Sequence, residues 1–391
     1  MKKCIINGEL VLPDKTINGT LVIEDGIISD IIYNNEIPVD AEIIDAKGGF
    51  VLAGFIDTHV HGGGGADFMD GTEESFEQVL KTHMEHGTTA VMPTTVSCSF
   101  ESLLKAFDIY RNVNKRRKWS NLLGLNLEGP YISMKSKGAQ NPQYIKNPDK
   151  EEVDILMDKG KDVIGRISCA PEIDGIDYLA NCCRESGIWL SVAHSDAVCE
   201  EVIDAYSKGF RHITHMYCGT TTFRKVEQIV HVGIIEAAYL LDGIEVELIG
   251  DGKHIPKELI KMVLKIKGAD RLSLVTDGMR AAGTDAKTSF LGEKKPENEV
   301  IIEDGVAKLP DRSSYAGSIA TMDTVFKNAV LNAEIPIHIA SRLVSANPAR
   351  LAGAKNKGII AKGMDADIVI EDREYNVKSV MVEGEVKYSV C

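Results

Sequence analysis

The stretch VLAGFIDTHVHGGGG, from Val51 to Gly65, is an apolar run that ends in two histidines and a series of glycines. His59 and His61 are two positions apart, and alternate residues of a β-strand point to the same side. Two imidazoles on one side of a strand end can chelate a metal ion, and the glycines that follow leave room for a substrate. We therefore interpret this stretch as a buried strand with a metal-binding end.

Further apolar runs follow at intervals, separated by segments with a helical pattern such as SFEQVLKTHMEHG and ESLLKAFDIYRNVNKRR. They read TAVMPTT, LLGLNLEGP, VIGRISCAPE, IWLSVAHS, HITHMY, VELIGDGKH and LSLVTDG. With the first run they make eight predicted strands, which together with the intervening helices are typical of a (β/α)8 TIM-like barrel. Seven such strands would also fit an open doubly wound sheet, but no dinucleotide-binding glycine motif or P-loop occurs at a strand–helix turn.

The two ends of the chain share a different pattern. Residues 1–50 read as short strands separated by Asn-Gly and Asp-Gly turns, which favour hairpins. The C-terminal segment DADIVIEDREYNVKSVMVEGEVKYSV alternates in the same way. We predict a small β-sandwich domain built from both termini, residues 1–50 with 355–391, beside a barrel domain of residues 51–354.

The composition limits the classes of partner. The chain has 391 residues, and its 44 Lys+Arg against 58 Asp+Glu give a net charge of −14. Because an acidic chain is a poor binder of nucleic acid and of anionic membranes, we expect neither as a partner. The opening MKKCIINGELVL lacks the pattern of a secretory signal, and the scattered cysteines include no C-x-x-C pair. These features predict reduced thiols and a cytoplasmic location.

Most of the predicted strands end in a residue that can bind a metal ion or move a proton. These residues are His59 and His61 on the first strand, Glu128 on the third, His194 on the fifth, His215 on the sixth and Asp277 on the eighth. In a barrel the C-terminal ends of the strands meet at one face, so we expect these side chains to converge. Imidazole and carboxylate ligands suit Zn²⁺, Fe²⁺ or Mn²⁺ better than Ca²⁺ or Mg²⁺.

Such an ion lowers the pKa of a bound water toward 7. Asp277, at the end of LVTDG, would accept the proton of that water and pass it to a leaving amine. The alternative for Asp277 is the N-cap of a helix that begins in GMRAAG. The remaining histidines His83, His86 and His338 are interpreted as ordinary core or surface residues.

Motifs spread over nearly the whole chain carry a specific resemblance. They are AGFIDTHVHG, LEGPYIS, GAQNP, VAHS, THMY, DGKH, LVTDG, YAGSIATMD and NPARLAG with KGIIAKGMDADIVI. The H-x-H pair and DADIVI resemble the amidohydrolase superfamily. LEGP followed by GAQNP, together with AGSIATMD, resembles more narrowly the N-acetylglucosamine-6-phosphate deacetylase family.

This resemblance implies a metal-dependent amidohydrolase that converts N-acetylglucosamine 6-phosphate into glucosamine 6-phosphate and acetate. It implies a homodimer, in which a residue of the partner can help to bind the phosphate. It also implies one or two ions of Zn or Fe per subunit. The main metal ligands would be Glu128, His194 and His215, and the histidines of a second site would be His59 and His61.

The same resemblance assigns the catalytic and acetyl-binding residues. Asp277 matches the catalytic acid and base, and His254 in DGKH matches a histidine that contacts the substrate and polarises the scissile carbonyl. Ala139 in GAQNP matches a loop that contacts the substrate through its backbone. A loop that closes on the acetyl group is matched by Tyr315, Ala316, Gly317 and Ser318.

The segment after the sixth predicted strand departs from the family pattern. The family has an Asn-Ala-Met stretch there, whereas this chain has Cys218 and Gly219 within THMYCGTTTFRKVEQIVHVG. Arg224 is the nearest candidate for the phosphate-binding arginine, since a guanidinium binds phosphate in a bidentate manner, with Lys225 or His231 sharing the role. The alternative for Arg224 is a solvated surface charge.

Three functions therefore remain in competition. The first is the deacetylase just described. The second is an amidohydrolase for another substrate, such as N-acetylgalactosamine 6-phosphate, a cyclic amide or an N-acyl amino acid. The third is a non-catalytic barrel that binds or scaffolds; it predicts missing metal ligands, and none of the expected ligands is missing from the sequence.

Overall fold

Eight parallel strands form a barrel in the structure, a computed structural model that describes residues 2–33 and 36–390. In chain order these strands, β1 to β8, are Phe55–Val60, Thr88–Thr95, Leu125–Glu128, Ile164–Cys169, Trp189–Val192, Phe210–Ile213, Glu245–Ile249 and Leu272–Val275. Each strand pairs with the next one along the chain. The end of β8 returns to β1, where the Asp277 amide donates to the His59 carbonyl at 2.9 Å. The predicted (β/α)8 barrel is confirmed, and the open sheet is excluded.

Helices connect the successive strands of the barrel. They are Glu73–Glu85, Phe100–Arg116, Lys150–Gly160, Ile176–Ser186, Cys199–Lys208, Ile234–Leu240 and Lys257–Lys267. After β8 come Met322–Lys327, Ile337–Ser341 and Asn347–Leu351, joined by π-helical turns at Asn328–Asn332 and Arg342–Ala346. Shorter 3-10 turns lie at Phe68–Asp70, Met134–Ser136, Pro142–Tyr144 and Pro296–Asn298.

The helix Phe100–Arg116 illustrates why these segments are helical. The Ser99 side chain caps its first turn by accepting a hydrogen bond from the Ser102 amide. Leu103, Phe107 and Tyr110 recur at helical spacing and are buried against the barrel. The apolar stripe therefore faces the strands, while the charged residues of the same helix face solvent.

A second sheet is built from both ends of the chain. Its strands are Lys2–Val11, Thr16–Glu24, Ile27–Ile32, Glu42–Asp45, Phe50–Ala53, Ile368–Glu371, Val377–Val382 and Glu385–Ser389. The strand Phe50–Ala53 joins the two halves, because it pairs with Lys2–Val11 on one side and with Ile368–Glu371 on the other. The predicted small β domain from both termini is confirmed, while its residue boundaries stay a prediction.

Within the described residues, three small antiparallel sheets lie outside the barrel and the terminal sheet. The strands Thr288–Phe290, Glu299–Glu303 and Val306–Lys308 form one of them within the long segment after β8. Two-stranded hairpins pair Gly62–Gly63 with Ala66–Asp67 and Arg224–Val226 with Ile229–His231. A further short strand, Asn121–Leu122, pairs with β2. The long segment packs its own apolar cluster, which includes Met279, Val300 and Ala316, beside the mouth of the barrel.

The helices and the cysteines of the structure have two further features. Of the helices in the described residues, none is long and apolar enough to cross a membrane. All seven cysteines in the described ranges are free thiols, and Cys391 lies outside the described residues.

The buried core of the terminal sheet leads to a prediction about the free energy of unfolding. Ile368 is 1% exposed in this core, whereas Ile43, on another strand of the same sheet, is 53% exposed. We expect Ile368→Ala to destabilise the protein by about 2–5 kcal/mol, because it leaves a cavity. Ile43→Ala is the matched control and should change stability by less than about 0.5 kcal/mol. Urea unfolding followed by circular dichroism measures both, and equal midpoints for the two variants would contradict a packed core here.

Candidate active site

The loops at the C-terminal ends of the strands surround a cavity of about 300 Å³ at one face of the barrel. Three of the predicted site residues lie just beyond the ends of their strands and adopt a left-handed backbone conformation. The φ angles are 44° at His194, 27° at His215 and 48° at Asp277. Side chains other than glycine rarely adopt such angles, and they persist where the surrounding structure enforces them. These residues are therefore held in sharp turns that project into the mouth of the barrel.

The carboxylate of Glu128, at the end of β3, lines this cavity and is the centre of a cluster of histidines. Its Oε1 lies 2.8 Å from Nε2 of His215, 3.2 Å from Nε2 of His194 and 3.4 Å from Nε2 of His59. Its Oε2 lies 3.4 Å from Nε2 of His61. All five residues are at least nine-tenths buried. The structure therefore brings the five predicted metal ligands together in one cluster.

The cluster contains two overlapping sets of ligand atoms. One set is Glu128, His194 and His215, and the other is His59, His61 and Glu128; within each set the ligand atoms lie within 4.8 Å of one another. Glu128 belongs to both sets. The arrangement can hold one ion, or two ions that share this carboxylate.

The hydrogen bonds of the imidazoles fit a cation between them and Glu128. Nδ1 of His194 faces the Ser136 carbonyl at 2.9 Å, and Nδ1 of His215 faces the Cys218 carbonyl at 3.0 Å. A carbonyl only accepts, so these Nδ1 atoms donate, and in a neutral ring Nε2 then carries a lone pair. That lone pair faces a carboxylate oxygen, which is also an acceptor. A proton or a metal ion must therefore lie between them.

The electrostatics of the cluster lead to the same requirement. Burial lowers the pKa of His59, but Glu128 and Glu247 more than offset this and raise it to about 10. Burial raises the pKa of Glu128, but the His59 and His194 imidazoles hold it well below its ordinary value. For Asp277, burial is again outweighed, here by His61 and His59, and the pKa is lowered. These carboxylates need positive charge, which divalent ions supply while the imidazoles stay neutral.

Asp277 lies at the edge of the same cluster. Its Oδ1 is 3.1 Å from Nε2 of His61 and 3.5 Å from Nε2 of His59. No helix begins directly after Asp277, so the alternative N-cap role has no support. The carboxylate lines the cavity and can reach a proton on a molecule bound there.

His254 lines the cavity at the end of the loop after β7. Its Nδ1 is 2.7 Å from Oδ2 of Asp251, and Oδ1 of Asp251 accepts the backbone amide of His254 at 2.9 Å. The ring also meets the edge of the Tyr315 ring, with 4.8 Å between the centroids. Asp251, which the sequence interpretation did not single out, therefore fixes the orientation of His254.

The other predicted substrate residues divide into two groups. Those that line the cavity are Ala139, Cys218, Gly219, Tyr315 and Gly317. Those that the structure does not bring to the cavity are Ala316, Ser318 and Arg224. Ala316 packs in an apolar cluster, and the Ser318 hydroxyl donates to the Thr276 carbonyl at 2.6 Å, so both support the loop from behind. Arg224 lies on the two-stranded hairpin outside the cavity walls, and Lys225 and His231 of the same hairpin are exposed.

The histidines that were set aside as ordinary residues also lie outside the cluster. Nε2 of the buried His83 faces the Gly62 carbonyl at 2.9 Å. His86 pairs with Asp323 through Nδ1 at 2.8 Å. Neither histidine belongs to the two sets of ligand atoms around Glu128.

Sequence interpretation missed several side chains that hold the cluster in place. Nε2 of Gln140 donates to Oε2 of Glu128 at 2.7 Å, and its Oε1 accepts the Ser97 amide at 2.7 Å. The sequence feature that could have identified Gln140 is its position within the motif GAQNP. Arg166 and Glu247 lie fully buried beneath the cluster. The sequence feature that could have identified them is a charged residue flanked by apolar ones, Arg166 within VIGRI and Glu247 within VELI.

Comparisons with known proteins agree with this site. The model of the Amidohydrolase family matches residues 50–387. An N-acetylglucosamine-6-phosphate deacetylase of Haemophilus influenzae is 32% identical over 99% of this chain and 100% of that protein. An N-acetylgalactosamine-6-phosphate deacetylase of Shewanella sp. is 27% identical over 98% of this chain and 96% of that protein. The crystal structure of N-acetylglucosamine-6-phosphate deacetylase from Pasteurella multocida superposes with a TM-score of 0.92, at 29% identity and with 100% of both chains covered. This chain therefore belongs to the amidohydrolase family and, within it, to the N-acetylglucosamine-6-phosphate deacetylases.

Proposed function

We propose that this protein hydrolyses the acetamide of N-acetylglucosamine 6-phosphate, giving glucosamine 6-phosphate and acetate. The observation that carries the proposal is the buried cluster of four histidines around Glu128, with Asp277 at its edge, in a cavity open to small molecules. Relatives of that specificity that match this chain over nearly its whole length support the choice of substrate.

We propose that the cluster holds one or two ions of Zn or Fe. Glu128, His194 and His215 would hold one ion, and His59, His61 and the shared Glu128 would hold the other. When bound, such an ion lowers the pKa of a water molecule toward 7 and polarises the acetamide carbonyl. The protein's own contribution is to keep these side chains buried, in fixed rotamers, with Nδ1 of His194 and of His215 engaged by backbone carbonyls.

Asp277 is the acid and base of the proposed reaction. Its carboxylate accepts the proton of the attacking water while the water oxygen bonds to the acetamide carbon. The C–N bond then breaks, and the same proton passes from Asp277 to the leaving amine. Backbone hydrogen bonds fix the position of Asp277, because its amide donates to the His59 carbonyl and its carbonyl accepts the Ser318 amide at 2.8 Å.

His254 is proposed to bind the acetyl carbonyl. Asp251 engages Nδ1 of His254, which leaves Nε2 free for the substrate at the wall of the cavity. Ala139 and the loop that contains Tyr315 and Gly317 line the same cavity and would enclose the acetyl group.

We infer that the protein is a homodimer and that the hairpin with Arg224 provides the phosphate contact across its interface. Among the residues that the structure describes, neither lysine nor arginine lines the cavity. On and next to the hairpin, the apolar side chains of Phe223, Ile229 and Val230 are 55–64% exposed, and a second copy would cover them.

Light scattering tests the oligomeric state. We expect about twice the chain mass of 42.7 kDa at micromolar concentration, because the exposed apolar side chains favour association. Ile229→Asp with Val230→Asp should shift the population toward the monomer, while the exposed control Ile155→Asp should not. A wild-type protein that is monomeric at all concentrations would contradict the inference.

We also infer a cytoplasmic location, supported by free thiols at every cysteine within residues 2–33 and 36–390. Fractionation of the source cells tests it, and recovery of the protein outside the cytoplasm would contradict it.

The role of Asp277 predicts a separation of metal binding from turnover. We expect Asp277→Asn to lower kcat by roughly 10²–10⁴-fold, because the amide cannot take up the proton. Its metal content, measured by inductively coupled plasma mass spectrometry, should equal that of the wild type. The exposed Asp158→Asn is the control and should retain both properties. Near-normal turnover in Asp277→Asn would reject the assigned role, and an absence of transition metal from the wild type would reject the proposed centre.

A substrate panel tests the proposed specificity. Acetate release should have the highest kcat/KM with N-acetylglucosamine 6-phosphate. N-Acetylgalactosamine 6-phosphate is the second candidate, because Cys218 and Gly219 replace the usual family residues in the cavity wall and because a relative of that specificity also matches the chain. The panel includes unphosphorylated N-acetylglucosamine and an N-acetyl amino acid, which should react more slowly. A preference for either of these last two would contradict a sugar-phosphate deacetylase.

A further inference from the structure

A buried ion pair lies inside the barrel, beneath the cluster of histidines around Glu128. Arg166 on β4 and Glu247 on β7 are both 0% exposed, and Nη1 of Arg166 donates to Oε2 of Glu247 at 2.8 Å. A buried pair of this kind stabilises a fold little compared with apolar side chains of similar volume. The other contacts of these two side chains point to a functional role for the pair.

The other carboxylate oxygen of Glu247 contacts His59. Oε1 lies 2.8 Å from Nδ1 of His59, and since a carboxylate only accepts, Nδ1 must carry the hydrogen. Nη2 of Arg166 is also 3.2 Å from this Nδ1, but it has its own acceptor in the Thr58 carbonyl at 3.0 Å. The His59 ring is thus fixed as the Nδ1–H tautomer, which leaves Nε2 as the metal-facing atom.

The opposite edge of the same ring supports this assignment. Nε2 of His59 is buried and has no hydrogen-bond partner in the described part of the chain. It lies 3.4 Å from Oε1 of Glu128. A buried ring nitrogen without a partner is costly unless a ligand engages it. The Glu247 carboxylate thus holds Nδ1 of His59, and Nε2 on the other side of the ring is free to bind a metal ion.

The two sets of ligands differ in how their histidines are held. His194 and His215 are fixed through Nδ1 by backbone carbonyls of Ser136 and Cys218. His59 alone among these three depends on side chains, Glu247 and through it Arg166. Removal of Glu247 should therefore disturb the set that contains His59 and leave the Glu128–His194–His215 set nearly intact.

We propose that Glu247, itself oriented by Arg166, is a positioning residue that sets the tautomer and orientation of His59 and thereby determines whether a second metal ion binds at His59, His61 and Glu128. This inference rests on the proposed metal centre. Glu247 also accepts the backbone amide of His215 at 3.3 Å, a longer contact than its 2.8 Å contact with His59, while the His215 ring itself is held by the Cys218 carbonyl.

Metal titration of the chelator-treated full-length protein tests the proposal. Zn²⁺ is added in the presence of a competing chromophoric chelator, and the bound equivalents and their dissociation constants are fitted. For the wild type we expect two equivalents. For Glu247→Gln we expect the second dissociation constant to rise roughly 10–100-fold, the usual effect of losing such an outer partner, with the first nearly unchanged. The amide offers one acceptor oxygen where the carboxylate offered two.

Controls separate a positioning role from a folding defect. Glu258→Gln, at an exposed position, should bind as the wild type does. Because Glu247→Gln leaves a buried arginine without its ion pair, the double variant Arg166→Met with Glu247→Leu removes both charges and keeps a packed interior. Circular dichroism and urea unfolding establish that each variant is folded. In the double variant we expect the second ion to be lost and the first to be retained.

The outcomes distinguish this inference from the function on which it rests. A folded Glu247→Gln or double variant that binds the second ion with wild-type affinity would overturn the inference. A wild type that binds a single ion would also overturn it, while deacetylation of N-acetylglucosamine 6-phosphate by that same sample would leave the proposed function standing. A wild type that neither binds metal nor releases acetate would instead reject the proposed function.

Discussion

The contact on which the rest of the site depends is that between the Glu128 carboxylate and the ring nitrogens of four histidines. Each of these groups is an acceptor when the imidazoles are neutral, so the cluster is stable only with positive charge at its centre. The residues come from positions 59 to 215 of the chain and lie on, or directly after, four different barrel strands. Closure of the barrel is what brings them within reach of one another.

Several features of the fold serve to maintain this contact. His194, His215 and Asp277 occupy left-handed backbone conformations. Backbone hydrogen bonds hold them there, with the amides of Ser133 and Cys218 donating to His194 and His215 and the Asp277 amide donating to His59. Gln140, in the wall of the cavity, holds Glu128 by a hydrogen bond, and the Glu247–Arg166 pair holds His59 from beneath the cluster. A metal ion bound to so rigid a set of ligands needs little rearrangement of the protein, which is the condition for electrostatic preorganisation of an active site.

Part of this arrangement could be predicted from the sequence, because it is local. The eight apolar runs, and the polar residues at the ends of most of them, follow from strand periodicity and from the geometry of a barrel, as His59 and His61 illustrate. Other parts depend on distant segments. That the loop with Gln140 folds back onto Glu128, or that Arg166 and Glu247 meet inside the barrel, follows from the register of strands far apart in the chain. The position of Arg224 outside the cavity could not be predicted for the same reason. The residues of the hairpin predict its strands and turn, but not where the hairpin lies relative to the cavity.

The central claim is that a divalent transition-metal ion sits at the Glu128 carboxylate. Anomalous diffraction from crystals of the protein purified without chelator, recorded above and below the zinc and iron absorption edges, tests it most directly. We expect an anomalous peak at about 2.0–2.2 Å from the Glu128 carboxylate and from Nε2 of His194 and His215. Crystals with these side chains ordered and with no anomalous peak among them, or with a peak only elsewhere on the protein, would contradict the claim.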